Sequence, residues 1–186
     1  MKHINFKIWL FTFIGYMFFL PVFAQKDLAP ISKNKNAFYI PGDVLKKYGL
    51  KLGQDDGFMR VYNNLSDIAP IQRVNDLRWQ AKNQGQALKW YSDQHKMLSE
   101  NGDEITLQIT KPKGLDCWNI YTSNLGYKKL MKGLGLEGSF FIFTFTCNKY
   151  VGKIFVATGG SQTVHDAWKL ANEGIQATLK AMLPNR

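Results

Sequence analysis

The sequence predicts an α+β protein in which an antiparallel sheet of about five strands packs against two long amphipathic helices, an α/β sandwich. Residues 140–158 are rich in aromatic and β-branched side chains on both sides of an Asn148-Lys149 turn, which predicts a β-hairpin. Apolar residues recur every three or four positions from about Asn75 to Ser99 and again from Ser161 to Met182, which predicts two helices. Strands joined by hairpins require an antiparallel sheet, against which both helices bury their apolar stripes.

The first 24 residues are typical of a secretory signal. A basic start precedes an apolar run from Ile8 to Leu20, and small residues at Val22 and Ala24 occupy positions −3 and −1 of a cleavage site. A membrane anchor would need roughly 20 apolar residues, whereas Pro21 closes this run after 13. We therefore expect cleavage after Ala24, export to the periplasm or the medium, and no transmembrane span in the mature protein.

The mature chain would have 162 residues, and its net charge falls from +10 to +8 because the removed segment holds two lysines and no acid. This length suits one domain that folds without a metal or a disulfide. A hydrophobic content of 45% excludes collagen-like and low-complexity chains. The basic balance favours an acidic partner. Export removes the chain from ATP and nicotinamide pools, so we expect no cofactor.

The N-terminal part of the mature chain carries weak signals. Residues 25–36 are polar and aperiodic, which indicates a flexible lead before a single domain over 37–186. Residues 37–40 favour a short strand, and 43–48 favour one or two helical turns that end at a glycine. Weak alternation over 58–62 predicts a further strand.

The first long helix is predicted from about Asn75 to Ser99. Asn75 or Asp76 would cap its start, and Asn101-Gly102 would end it because these residues accept a positive φ. The predicted buried stripe consists of Val74, Leu77, Ala81, Leu88, Tyr91, His95 and Leu98.

The hydrophobic period then changes to two. Residues 105–109 alternate apolar and polar side chains, as in a half-buried strand, and 115–122 form a second strand after a Lys-Pro-Lys-Gly turn. Residues 125–134 favour either a short helix or a basic loop.

The closing elements have the clearest pattern. Residues 140–147 and 150–158 are the hairpin strands, with Phe141, Phe143 and Phe145 sharing a buried face with Cys147. The stripe of the closing helix is Val164, Trp168, Ala171, Ile175, Leu179 and Met182.

Cys117 and Cys147 are the two cysteines of the chain, each in a predicted strand. An even count in an exported protein favours a disulfide. Its loop of 31 residues would stabilise the fold by about 3.5 kcal/mol on a chain-entropy estimate, so Cys117→Ser should lower stability. The alternatives are two buried free thiols, or a nucleophilic cysteine served by His165.

The histidines and carboxylates give no catalytic signature. His95 lies on the predicted buried stripe, where a structural role is the default, and no zinc-binding spacing is present, so no metal site is expected. The adjacent acidic pairs, Asp55-Asp56 and Asp103-Glu104, stand at expected turns. A hydrolase that uses a carboxylate with His95 is the enzymatic alternative, whereas a non-catalytic protein is the leading interpretation.

The strongest functional signal is a concentration of lysines. Five fall within 22 residues, against Asp116 alone on the acidic side: Lys111, Lys113, Lys128, Lys129 and Lys132. If the 111–113 turn and the 125–134 segment share one end of the sheet, they form a patch for an anionic partner. That partner would be an acidic protein, lipid headgroups or a glycan. Nucleic acid is disfavoured because the aromatic residues follow core patterns. The alternative is an ordinary solvated surface.

The order of elements from Phe58 to Met182, with a hairpin over 140–158 that runs into a closing helix, resembles the PsbP/Mog1/DcrB-like α/β sandwich superfamily. The resemblance concerns element order and no residue motif, so it implies no functional residues. It implies a small secreted or periplasmic accessory protein that binds partners without catalysis.

The sequence therefore predicts an exported, non-catalytic binding or accessory protein of the bacterial cell envelope that acts through protein–protein contact. An immunity protein that neutralises an exported toxin and an envelope hydrolase using His95 are the alternatives.

Overall fold

The computed structural model describes residues 28–31, 36–66, 69–104, 111–123, 139–159 and 164–182. The strands are β1 (Ala29–Pro30), β2 (Lys51–Asp55), β3 (Met59–Asn63), β4 (Ile71–Gln80), β5 (Gly102–Glu104), β6 (Cys117–Ser123), β7 (Ser139–Cys147) and β8 (Tyr150–Thr158). The helices are α1 (Gly42–Lys47), α2 (Gln84–Asn101) and α3 (Val164–Met182), and Asn36–Phe38 form a 3-10 turn.

The described strands form one antiparallel sheet in the order β2-β3-β4-β8-β7-β6-β5, with β1 paired to β4. The predicted α+β sandwich is confirmed, although the sheet is wider than the five strands expected. β2 stands at one edge. β4 and β8 pair along nine register positions near the middle, from Ile71 opposite Thr158 to Gln80 opposite Tyr150.

Each face of the sheet is covered by one long helix. α3 packs on the face that carries Phe141, Phe143 and Phe145, whereas α2 packs on the face that carries Ile142 and Phe155. Side chains of a strand alternate between faces, so β7 and β8 are buried along almost their whole length. We call these the α3 face and the α2 face. The predicted closing hairpin and closing helix are confirmed.

The predicted helix from Asn75 to Ser99 is wrong in its first third. Residues 71–80 form β4, and α2 begins at Gln84. Asn83 caps it, since its side-chain oxygen accepts a hydrogen bond from the Gln86 amide at 2.9 Å while Gln86 accepts from the Lys82 amide at 2.7 Å. Val74 and Leu77 matched a helical spacing, but in β4 they lie on opposite faces.

The buried stripe of α2 is therefore shifted from the predicted one. It consists of Ala87, Trp90, Gln94 and Leu98, while the predicted Leu88 is 38% exposed. Tyr91 and His95 lie at its border, partly buried.

The N-terminal predictions also need correction. Residues 37–40 form no strand, because Phe38 ends a 3-10 turn and the Ile40 amide donates to the Asp76 carboxylate at 2.9 Å. The expected flexible lead is partly folded, since β1 pairs with β4 and Ile31 is 1% exposed.

The remaining predictions concern elements that lie either within the described residues or outside them. α1 and β3 are confirmed near their predicted bounds, and Asn148 has the positive φ of 53° that the hairpin turn requires. The signal segment 1–24, the strand over 105–109 and the helix or loop over 125–134 lie wholly outside the described residues.

Candidate functional site

Three connections of the chain meet at the end of the sheet where the β7–β8 hairpin turns. The Ala81 amide donates to the Lys149 carbonyl at 2.8 Å, which holds the β4–α2 connection against the hairpin. The Asp116 carboxylate accepts from the Asn148 amide at 2.6 Å and from the Gln84 side chain at 3.0 Å. Asp116 therefore joins the 111–116 turn to both the hairpin and the start of α2.

This hairpin end carries lysines from all three connections. They are Lys82, Lys111, Lys113 and Lys149, of which the first three are exposed and Lys149 is half-buried. The Lys111 ammonium donates to the Asp116 carbonyl at 3.0 Å. Asp116 is half-buried, and its carboxylate is already engaged by two donors. In the described part of the chain, the hairpin end thus brings four lysines together around Asp116.

The predicted lysine patch is only partly within the described structure. Lys111 and Lys113 belong to the hairpin end, whereas Lys128, Lys129 and Lys132 lie outside the described residues. The described strands on either side of that segment end at Ser123 and begin at Ser139, at the end of the sheet opposite the hairpin. The 111–113 turn and these two anchor points are separated by the length of β6, roughly 20 Å. The sequence missed Lys82 and Lys149, which are distant along the chain from the others.

The expected disulfide between Cys117 and Cys147 is absent, and both cysteines are free thiols. The register explains this correction. Cys117 pairs with Thr146, so its side chain lies on the α2 face, while Cys147 is the next residue of β7 and lies on the α3 face. The Cys147 thiol donates to the Gly114 carbonyl at 2.9 Å. Burial, with a smaller contribution from Asp116, raises its pKa to about 11, so it stays protonated at neutral pH.

His95 is half-buried on α2, and its Nδ1 atom is hydrogen-bonded to the hydroxyl of the buried Tyr121. Its ring also stacks on Tyr91, with centroids 6.4 Å apart. Among the described side chains, no carboxylate hydrogen-bonds to His95. His165 is exposed on the first turn of α3. Tyr121 is thus the described partner that fixes the orientation of the His95 ring.

A buried lysine that the sequence analysis did not single out lies under α2. Lys153, in the middle of β8, is 0% exposed and donates to the Gln94 side-chain oxygen at 3.1 Å. Burial lowers its pKa from 10.5 to about 7. Thr144 is its register neighbour on β7. One signal in the sequence could have found it, namely a single lysine inside the apolar run from Val151 to Val156.

The α3 face holds a buried ion pair that the sequence analysis also missed. Asp76 and Arg78 are both 0% exposed and form a salt bridge two residues apart on β4. Arg78 also donates to the Phe38 carbonyl and the Thr178 hydroxyl, each at 3.2 Å. Burial raises the pKa of Asp76 and lowers that of Arg78, and each charge opposes the shift of the other. The pair ties the 3-10 turn and α3 to the sheet.

Within the described ranges, no group of three or more histidine, cysteine or acidic residues is placed to hold a metal ion. No helix of the described part is long and apolar enough to cross a membrane. No protein-family model, curated protein or solved structure matches the chain. The resemblance to the PsbP/Mog1/DcrB-like superfamily therefore stays a prediction.

Proposed function

We propose that this chain is an exported binding protein of the bacterial cell envelope that captures an acidic partner protein with its hairpin end. The observation that carries the proposal is the convergence of Lys82, Lys111, Lys113 and Lys149 around a single aspartate. These lysines come from three separate connections that hydrogen bonds hold together.

The way this surface is built favours a protein as the anionic partner. Asp116 and the Ala81–Lys149 hydrogen bond fix the spacing of the three connections. A folded partner presents carboxylates at fixed positions, so it gains from matched spacing, because less ordering is needed on binding. Mobile lipid headgroups adapt to any spacing and gain nothing from it.

The predicted accessory and immunity functions are two instances of this proposal, because they differ only in the identity of the partner. Export follows from the segment 1–24, which remains a sequence prediction. The hydrolase alternative is not carried forward, since the described bond of His95 is to Tyr121 and it serves to orient the ring.

The test uses a charge-neutralised variant with a matched control. Lys82→Gln, Lys111→Gln and Lys113→Gln together remove three charges from the hairpin end. Lys46→Gln, Lys47→Gln and Lys51→Gln remove three from α1 and β2, at the other end of the sheet. Glutamine avoids the repulsion that glutamate would create beside Asp116.

Each protein is immobilised and exposed to the detergent-solubilised envelope fraction of its own organism, and the retained proteins are identified by mass spectrometry. We expect one acidic protein, stoichiometric with the wild type and the control, whose retention falls about tenfold or more for the hairpin-end variant and at high salt. Equal retention by the hairpin-end variant, or retention insensitive to salt, would contradict the proposal. The identity of the protein decides between an accessory and an immunity role.

A further inference from the structure

A second cationic surface lies at the β2 edge of the sheet, at the end opposite the hairpin. We call it the basic corner, and it consists of Lys46, Lys47, Lys51, Leu52 and Leu65. All five are exposed, and the two leucines are 56% and 78% exposed. Leu52 and Leu65 are two of the three large apolar residues that are exposed in the described part of the chain.

Three structural connections bring these residues together. Lys46 and Lys47 form the last turn of α1, which Gly49 terminates with a φ of +70°. The Asn64 side chain donates to the Tyr48 carbonyl at 2.7 Å, which holds the β3–β4 loop, and with it Leu65, against the end of α1. Lys51 pairs with Asn63, the residue before that loop.

We infer that the basic corner binds the surface of an anionic lipid bilayer. Exposed lysines are attracted to anionic headgroups within a Debye length, and apolar side chains that project beyond the lysines enter the boundary between headgroups and acyl chains. Leu65 is exposed in the loop that follows β3, and Leu52 is exposed on the edge strand β2, where it follows Lys51 in the chain. Two exposed leucines offer far less apolar area than a stable protein interface buries.

The β2 edge itself argues against a protein strand as the occupant. β2 has a register shift between Leu52 and Gln54 where Gly53 is inserted, and such a bulge disrupts the regular hydrogen bonding that an added strand requires. Lysine on an edge strand has the same effect. Burial, and after it the carboxylates of Asp166 and Glu173, raises the pKa of Tyr48, so the acidic side of α3 borders the corner.

The inference is independent of the proposed partner of the hairpin end. Both surfaces are cationic, but the two most exposed leucines in the described part of the chain lie at the basic corner, while Leu88 on α2 is 38% exposed. With the corner on a bilayer, the hairpin end faces away from the membrane, because the two lie at opposite ends of the sheet.

The test measures partitioning onto vesicles by flotation. The protein is recovered after export and its N-terminus is read by mass spectrometry, so that every variant shares the same terminus. Vesicles of phosphatidylcholine alone are compared with vesicles that contain 30% phosphatidylglycerol. We expect partitioning onto the anionic vesicles that falls with added salt, and little onto the neutral ones.

Two variants divide the corner by chemistry. Lys46→Gln, Lys47→Gln and Lys51→Gln together should lower partitioning about 100-fold, at about fivefold per lysine. Leu52→Ser with Leu65→Ser should lower it about tenfold while leaving the charge unchanged. A control variant removes the same charge from the hairpin end and should change partitioning less than threefold. It carries Lys82→Gln, Lys111→Gln and Lys113→Gln.

All substituted side chains are exposed, so circular dichroism should show the wild-type fold for each variant.

The inference is overturned by equal partitioning of the wild type and the corner lysine variant, or by an equal loss in the hairpin-end variant. If the leucine variant partitions as the wild type does, charge attraction alone accounts for the binding. That result would overturn the insertion of Leu52 and Leu65 into the bilayer. A dimer in sedimentation without vesicles that the Leu52→Ser change dissociates would assign the corner to a second copy of the chain instead.

Discussion

Two consecutive residues of β8 show how differently the two faces of the sheet accommodate a buried cation. Gly152 lies on the α3 face, opposite Arg78, while Lys153 lies on the α2 face, opposite Leu77. Arg78 keeps its charge beside Asp76, with the ring of Phe145 centred 4.9 Å from its guanidinium carbon. Lys153 donates to the neutral Gln94, and burial lowers its pKa to about 7. On the α3 face a carboxylate neutralises the buried cation, whereas on the α2 face burial favours loss of the proton from the lysine.

A buried basic residue can therefore serve two purposes. Arg78 contacts the 3-10 turn, α3 and the sheet at once, so its charge organises three elements. Lys153 donates to an amide on α2, so its charge makes the attachment of that helix sensitive to pH. The two faces should therefore respond differently to mutation and to proton concentration.

The largest expected effect comes from breaking the ion pair. Asp76→Asn should lower the free energy of unfolding by about 3–5 kcal/mol, because it leaves Arg78 charged and buried without its carboxylate. Urea denaturation measures the loss. The double variant Asp76→Asn with Arg78→Met should cost less than the sum of the two single changes, since it removes both charges. Strict additivity would show that the pair is not coupled.

The next effect concerns pH on the α2 face. In the folded protein the pKa of Lys153 is about 7, against 10.5 for an unperturbed lysine. Below pH 7 both states are protonated and folding carries the full cost of burying the ammonium. Between pH 7 and 10.5 only the unfolded state binds the proton, so stability rises with pH.

Lys153→Met should therefore stabilise the protein below pH 7, on the order of a few kcal/mol, and remove the rise above it. The measurement is the urea midpoint from pH 6 to 10, compared with the wild type and with Lys51→Met, an exposed control. The buried thiol of Cys147, with a folded pKa of about 11, lowers stability above pH 9 in all three proteins and cancels in the differences. A wild-type profile parallel to that of Lys153→Met would contradict the prediction.

A smaller effect is expected at Gly152, which lies opposite Arg78 on the α3 face. A Cβ atom at Gly152 would collide with the ring of Phe145. Gly152→Ala should therefore lower stability by about 1–3 kcal/mol through overpacking. The matched control is Gly42→Ala, where a Cβ atom would meet nothing within 4 Å. Thermal unfolding of the two variants should differ clearly, and equal melting temperatures would show that Phe145 moves aside without cost.

The smallest effect on stability concerns the two cysteines, which lie on opposite faces of the sheet. Cys117→Ser should change stability by less than about 0.5 kcal/mol, since no disulfide joins it to Cys147. Cys147→Ser should cost more, because it places a hydroxyl in the apolar cluster of the α3 face. Titration of the unfolded, unreduced protein should find two thiols. A large loss in Cys117→Ser with no titratable thiol would restore the disulfide.

The sequence predicted those parts of the fold whose local pattern and tertiary context agree. The 140–158 hairpin and α3 are examples, because turn chemistry and apolar period point the same way. β4 was mistaken for a helix because its buried polar residues, Asn75, Asp76 and Arg78, break the apolar alternation of a strand. Those residues are stable inside only through partners such as Ile40, which are distant in sequence.

The candidate site was predictable only in part for the same reason. Lys111 and Lys113 stood out because they are neighbours in the chain. Lys82 and Lys149 join them through the Ala81–Lys149 hydrogen bond, which spans 68 positions of the sequence. The disulfide prediction was wrong for a different reason, because an even cysteine count says nothing about which face of the sheet each side chain occupies.

The pairing of β4 with β8 also determines when the chain can fold. These strands form the middle of the sheet, yet their register joins residues as far apart as Ile71 and Thr158. Contacts of such high sequence separation slow folding, because a long loop must close before any pairing is gained. A chain that has emerged only as far as residue 149 lacks the strand between β4 and β7. The sheet is therefore completed only when about the last fifth of the chain arrives.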